Sequence, residues 1–213
     1  LMGAMAVQGG LSKALFDFAN ALLGRFRGGM AMAGVLACAA FGSISGSTVA
    51  TTATIAQVAY PQMRRIGYSG RLATAALATG GTMGVLLPPS VTLMVYAILT
   101  EQNITKTFLA AYVPAILAAL GYLVVIAIYV RLHPGHAPEA RAASGAEVAQ
   151  AAAGVWPIAL IFVAVFGGIY GGIFTPTEGA AIGATLTFII TLLQRKLTLQ
   201  KAVESIRTTA VTS

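Results

Sequence analysis

Charge is what this chain has least of. Lys, Arg, Asp and Glu together make up 9% of its 213 residues, against about a quarter in an ordinary soluble domain. With 57% hydrophobic residues and a mean hydropathy of +0.83, too little polar surface is available for a water-soluble fold of this size. Cysteine is nearly missing too: Cys38 stands alone, which excludes an internal disulfide. Histidine occurs only at His133 and His136, where His-Pro-Gly-His in a polar stretch is a weak metal hint. The six carboxylates, Asp17, Glu101, Glu139, Glu147, Glu178 and Glu204, are scattered, so no pair is set up for acid–base work. No Gly-x4-Gly-Lys-Ser/Thr loop is present, so ATP is not the energy source within this chain, and no cofactor is expected.

What charge there is has a pattern. The net +7 could suggest nucleic acid, but the thirteen Lys and Arg residues lie at 13–27, 64–71, 106, 131–141 and 195–207. Long uncharged stretches separate them, the spacing of membrane spans joined by short basic loops, so the lipid bilayer rather than nucleic acid is the expected surroundings. Residues 106–131 form the clearest span, slightly longer than the roughly 20 residues a helix needs to cross. Residues 132–154, rich in Pro, Ala and Gly, read as a cytoplasmic loop. Spans follow at 155–174 and 175–194, and 195–213 reads as an amphipathic helix. At the other end, 1–28 reads as the end of a span followed by an amphipathic arm, with Leu11, Leu15, Phe18 and Leu22 at helical spacing. The chain opens at Leu1 inside an apolar run and closes at Ser213 within a helical pattern, which suggests a portion of a longer protein.

Two apolar stretches are interrupted. Residues 30–60 contain no charge; as one helix they would extend about 46 Å, well beyond a bilayer core of about 30 Å. Gly42-Ser43-Ile44-Ser45-Gly46-Ser47 divides them into two arms, with Thr48 just beyond. Basic residues flank the stretch on both sides, Arg25 and Arg27 before it and Arg64, Arg65 and Arg71 after it. If basic clusters stay in the cytoplasm, residues 29–62 enter and leave on one side as a re-entrant hairpin. Residues 69–100 then cross once as a helix broken at Gly80 to Ser90. That break contains Gly81, Thr82, Gly84, Leu87, Pro88 and Pro89, and residues 85–89 are expected to be extended. Later crossings place every cluster of two or more basic residues inside.

Non-helical backbone in a membrane exposes N–H and C=O groups that cost several kcal/mol each unless protein or a wet cavity satisfies them. Free carbonyls at that depth suit a desolvated monovalent cation, and half-helix N-termini suit an anionic group. Two simple kinks in a helix bundle are the plainer alternative. Ser45 also invites comparison with an intramembrane serine protease, which ranks below, because both histidines lie in a polar loop with no base near the serine. An ion channel would need a ring of charges or carbonyls around a pore. Thr175, Pro176 and Glu178 fit a helix-capping box better than an intramembrane carboxylate site. Trp156, Tyr122, Tyr129 and Tyr170 are read as interface anchors or packing.

The run GSISGSTVATTATIAQVAYPQMRRIGYSGRLATAALATGGTMGVLLPPSVTLMVYA, followed later by GGIYGGIFTPTEGAAIGA, closely resembles the large membrane (permease) subunit of tripartite ATP-independent periplasmic (TRAP) transporters. The resemblance covers nearly the whole chain. It implies an all-α integral membrane fold of the elevator type, with inverted repeats that each hold a re-entrant hairpin and a broken helix. The chain would span most of the first repeat, leaving transport by the chain alone in doubt. It further implies sodium-driven import of carboxylate-bearing solutes such as C4-dicarboxylates or sugar acids, with other secondary carriers as alternatives. Its partners would be a small membrane subunit and a periplasmic substrate-binding protein, in the bacterial or archaeal cytoplasmic membrane. By motif, Na+ would fall to Ser45, Ser47, Gly84, Leu87 and Pro89. Gly42, Ser43, Gly46, Thr48, Gly81, Thr82, Pro88 and Ser90 would support that tip and break.

Overall fold

Small residues decide which helix lies in the middle. The computed structural model describes residues 2–140 and 143–194; the amphipathic segment expected at 195–213 lies outside them. The chain divides into two units, Ser12–Gly154 and Leu1–Leu11 with Val155–Ser213. In the first, α2 (Leu11–Leu23) leads to α3 (Gly29–Ser45) and α4 (Thr48–Arg65), followed by α5 (Gly70–Gly81), α6 (Met83–Leu86) and α7 (Val91–Leu99). Helix α8 (Ile104–Leu132) then ends in a 3-10 turn at Pro134–His136. Helix α3 is buried on every side, since Ala31, Ala33, Gly34, Ala37 and Gly42 let α4, α5, α6 and α8 approach it closely.

By contrast α8 buries only a narrow stripe, including Phe108, Ala111, Ala115 and Ile126. Leu109, Val113, Ile116, Leu117, Leu120, Val124 and Ile128 are exposed along its remaining surface. An exposed face this apolar on a helix of 29 residues suits lipid or another apolar helix rather than water. The exposed side of α5 is different in kind. Thr74, Ala75, Ala78 and Thr79 occupy it, and Thr74 Oγ1 donates to the carbonyl of Gly70 at 2.8 Å, a local bond that satisfies the hydroxyl without a partner helix.

Three helices are long and apolar enough to cross a membrane, α8, α9 (Gly145–Tyr170) and α10 (Pro176–Leu193), and the bent pair Gly70–Leu86 and Val91–Leu99, angled at 41°, makes a fourth. The protein is therefore an all-α, multi-pass membrane fold. In the second unit α1 (Met2–Gln8) packs on α10. The ring of Phe174 lies over Gly168, folding the turn after α9 back on itself. Helix α10 starts with the capping box expected from its sequence: Thr175 N–H donates to the Glu178 carboxylate at 2.7 Å and Glu178 N–H to the Thr175 hydroxyl at 3.3 Å.

Several boundaries differ from the sequence expectation. Helix α9 begins at Gly145, so 145–154, expected as part of the loop, is helix. Ser144 and Glu147 form a second capping box there, with Ser144 N–H to the carboxylate at 2.7 Å and Glu147 N–H to the Ser144 hydroxyl at 3.2 Å. Once started, the alanine-rich run propagates readily. The helix ends at Tyr170 rather than 174. On α2 the buried face is Leu11, Ser12, Leu15, Phe16 and Ala19, while Leu22 is exposed; the lone ion pair of that helix, Lys13–Asp17, lies on the other side. Arms α3 and α4 are 17 and 18 residues long, longer than the half-crossings expected. Whether they enter and leave on one side is tested by labelling. In a Cys38→Ala background of the full-length protein, Arg27→Cys and Ile66→Cys, both at exposed positions, are expected to react with an impermeant thiol reagent from the cytoplasmic side alone. Reaction from opposite sides excludes the re-entrant path.

Candidate functional site

The reversal between α3 and α4 takes two residues. Gly46 adopts the left-handed conformation, φ 63°, and its N–H donates to the Gly42 carbonyl at 2.7 Å, closing α3. Ser47 is extended and caps α4: its hydroxyl accepts from Ala50 N–H at 3.4 Å and its carbonyl from Thr51 N–H at 3.0 Å. The interruption is thus narrower than expected, because Gly42, Ser43, Ile44 and Ser45 are helical. Thr48 is the first residue of α4. Ser43 is buried, its hydroxyl donating back to the Ala40 carbonyl at 2.8 Å.

The second break is narrower in the same way. Thr82 joins α5 to α6 while remaining in helical geometry, so Gly80, Gly81 and Gly84 are helical and Val85 and Leu86 are not extended. Only Leu87–Ser90 leaves the helix. Leu87 turns extended, ψ 128°, as a residue preceding proline must; Pro88–Pro89 is a cis peptide. Ser90 is buried and caps α7, accepting from Leu93 N–H at 3.4 Å. Neither proline has an N–H, so positions 88 and 89 bring no donor of their own into the break.

Tip and break meet. A methyl group on Gly42 would stand 2.5 Å from Gly84 Cα and 2.9 Å from Gly84 N, so two backbones touch there with no side chain between them. A methyl on Gly84 would reach Thr51 Oγ1 at 2.9 Å and the Ser47 carbonyl oxygen at 3.1 Å. One on Gly46 would lie 3.6 Å from the Pro89 carbonyl oxygen. Around this seam Ser45 Oγ sits 2.5 Å from Thr51 Oγ1 and 3.3 Å from the Ser47 carbonyl oxygen. Of the residues carried over by motif, Ser45, Ser47, Gly84 and Pro89 come together. Leu87 packs instead against the cluster of Ala39, Met83 and Ala115, with its N–H bonded to the Met83 carbonyl at 3.0 Å. Gly81 lies against Thr52, whose hydroxyl donates to the Thr48 carbonyl at 2.8 Å.

Thr51 and Tyr122 are the residues that sequence reasoning missed. Thr51 is fully buried one turn past the tip, and its hydroxyl is the side-chain oxygen nearest the seam; a threonine pair following a Gly-Ser tip was its only signal. Tyr122 packs, as its sequence setting allows, on the cluster of Ala39, Met83 and Ala115, and its hydroxyl, 3.1 Å from Thr82 Oγ1, also ties α8 to the break. Tyr129 is at the far end of α8, 2.7 Å through its hydroxyl from His136 Nδ1. His136 thereby fastens the 3-10 turn to α8, so the His-Pro-Gly-His stretch has a structural partner.

Chemically, the seam offers hydroxyl and carbonyl oxygens and no carboxylate, a donor set suited to a hard monovalent cation and unsuited to acid–base work. The class that this fold and site define is an all-α, multi-pass membrane protein whose two interrupted elements meet at an oxygen-lined seam. Comparison with known proteins makes the assignment specific: residues 1–213 match the family described as tripartite ATP-independent periplasmic transporter, DctM component, and the chain belongs to it. It is 40% identical over 193 residues to a C4-dicarboxylate TRAP transporter large permease protein of Pseudomonas aeruginosa, covering 90% of this chain and 44% of that one. A similarly named protein of Vibrio cholerae is 40% identical over 183 residues, covering 85% of this chain and 40% of its own. A 2,3-diketo-L-gulonate TRAP transporter large permease protein of Escherichia coli is 32% identical over 200 residues, 93% of this chain and 46% of its own. The chain thus spans a little under half the length of these relatives, which are named as permeases and not as enzymes.

The seam has a direct test. In the full-length protein, Gly42→Ala is expected to cost about 1–3 kcal/mol, the usual range for overpacking, read as a lower thermal midpoint. Gly121→Ala, where an added methyl meets nothing within 4 Å, should leave that midpoint unchanged.

Proposed function

We propose that this chain forms part of the permease subunit of a sodium-coupled, binding-protein-dependent secondary transporter. The observation that carries this reading is the grouping of the Ser45 and Thr51 hydroxyls and the Ser47 carbonyl about the Gly42–Gly84 contact, with the Pro89 carbonyl beside the neighbouring Gly46. A sodium ion needs several neutral oxygens that replace its water shell, and carbonyl and hydroxyl dipoles do so without a fixed charge that would hold the ion permanently. Ser45, Ser47, Gly84, Leu87 and Pro89 are proposed to supply or shape that site, with Thr51 added on geometry.

The transported solute is proposed to be a carboxylate, a C4-dicarboxylate or a sugar acid, in keeping with the names of the relatives in Pseudomonas aeruginosa, Vibrio cholerae and Escherichia coli. Working as an elevator in a bacterial or archaeal cytoplasmic membrane, the permease would act with a small membrane subunit and a periplasmic binding protein. A relative in Oleidesulfovibrio alaskensis, 37% identical over 185 residues, is named as an isethionate TRAP transporter permease protein DctMQ, in keeping with a close association of two membrane subunits.

Proteoliposomes containing the full-length permease, its small subunit and its binding protein are expected to take up dicarboxylate only with an inward sodium gradient. Thr51→Val and Ser45→Ala should raise the sodium concentration for half-maximal uptake at least about tenfold, the loss of one to two hydrogen-bond equivalents at a charged ligand. Uptake indifferent to sodium, or continuous single-channel currents, would remove the sodium-coupled carrier from consideration.

A further inference from the structure

The larger unit gathers arginines at one end. There the start of α3, the α4–α5 loop and the last turns of α8 are joined. Met30 N–H donates to the Tyr68 hydroxyl at 3.2 Å, and Ser69 N–H donates to the His136 carbonyl at 2.9 Å. A methyl at Gly28 would lie 2.9 Å from Val130 Cγ2. Tyr68 is 3% exposed, a buried pin for the loop, and burial pushes its hydroxyl above the ordinary range. Arg64 completes the brace, its Nη1 donating to the Tyr68 carbonyl at 2.8 Å.

Arg25 and Arg27 precede α3, Arg64 and Arg65 end α4, Arg71 opens α5 and Arg131 closes α8. All six are exposed. None pairs with a carboxylate; among the described residues the ion pair present is Lys13–Asp17. Three exposed apolar side chains stand beside them in sequence, Phe26, Ile66 and Leu132, and the Arg25 guanidinium lies 4.9 Å from the centre of the Phe26 ring.

We propose that this end is a binding surface for anionic phospholipid headgroups. Charge sidedness alone requires basic residues and is indifferent between lysine and arginine. Here all six are arginine, whose planar fork takes a phosphate through two parallel hydrogen bonds. A free phosphate would gain nothing from Phe26, Ile66 and Leu132, whereas a lipid presents an acyl boundary directly below its phosphate. The Tyr68–Met30 and Ser69–His136 bonds tie together the three chain segments that carry these arginines.

The test uses the full-length protein in nanodiscs of phosphatidylcholine with and without phosphatidylglycerol, with retained lipid counted by native mass spectrometry. Phosphatidylglycerol should be retained preferentially. Each arginine removed should weaken that preference about fivefold, so Arg65→Gln with Arg71→Gln and Arg131→Gln, which spare the Arg64 brace, should reduce it about a hundredfold. Charge removal can also disturb insertion, so Arg65→Lys with Arg71→Lys and Arg131→Lys serves as the second variant. It should keep Gly135→Cys labelling on its normal side while losing part of the preference. Equal retention of the two lipids, a triple glutamine variant that binds as well as the parent, or full displacement by millimolar inorganic phosphate would each overturn the proposal.

Discussion

Inside a bilayer no water waits to accept a hydrogen bond from a broken helix, and each place where this chain leaves helical geometry follows that constraint. At the tip, Gly46 turns its N–H back to Gly42 and Ser47 takes over the first donors of α4. At the break, Pro88 and Pro89 bring no N–H at all, and Ser90 covers a donor of α7. The same economy governs the starts of α5, α8, α9 and α10, where Ser69, Asn103, Ser144 and Thr175 each stand at the cap. With several of those groups satisfied locally, the chain can leave helical geometry at Ser47 and at Leu87–Ser90 while the flanking helices stay intact.

Much of this was legible from residue order. Uncharged stretches of span length, Gly-Ser and Pro-Pro interruptions and the Thr-Pro-Thr-Glu box are one-dimensional signals, and each names a physical event: crossing, breaking, capping. The extent of the breaks was not. Glycine and serine permit a departure from helix without compelling one, and packing around α3 kept Gly42 to Ser45 in register as far as the last turn. The loop at 132–154 was overestimated for the opposite reason. Its Pro-Gly-His beginning dominated the composition, while Ser144-Gly-Ala-Glu147 already contained the start signal of α9.

Thr51 and Tyr122 show the limit more sharply. Nothing along the chain distinguishes Thr51 from Thr52 or Thr54, and only the approach of Gly84 selects it. Tyr122 sits among apolar residues of a span, where an aromatic normally reads as packing. Its partner, Thr82, is 40 residues earlier, and two hydroxyls that far apart meet only once α8 has packed on the broken helix. Sites assembled from different elements of a membrane fold hide in this way, because each half makes local sense by itself.

The contact of Gly42 with Gly84 has a mechanical meaning. Where side chains interdigitate, rotamer changes let one helix ratchet past its neighbour. Two bare backbones in contact have no such compliance, and shearing them by a turn would drive a peptide group into its neighbour. The hairpin tip and the broken helix are therefore locked to one another at that point. A displacement of one element has to carry the other with it.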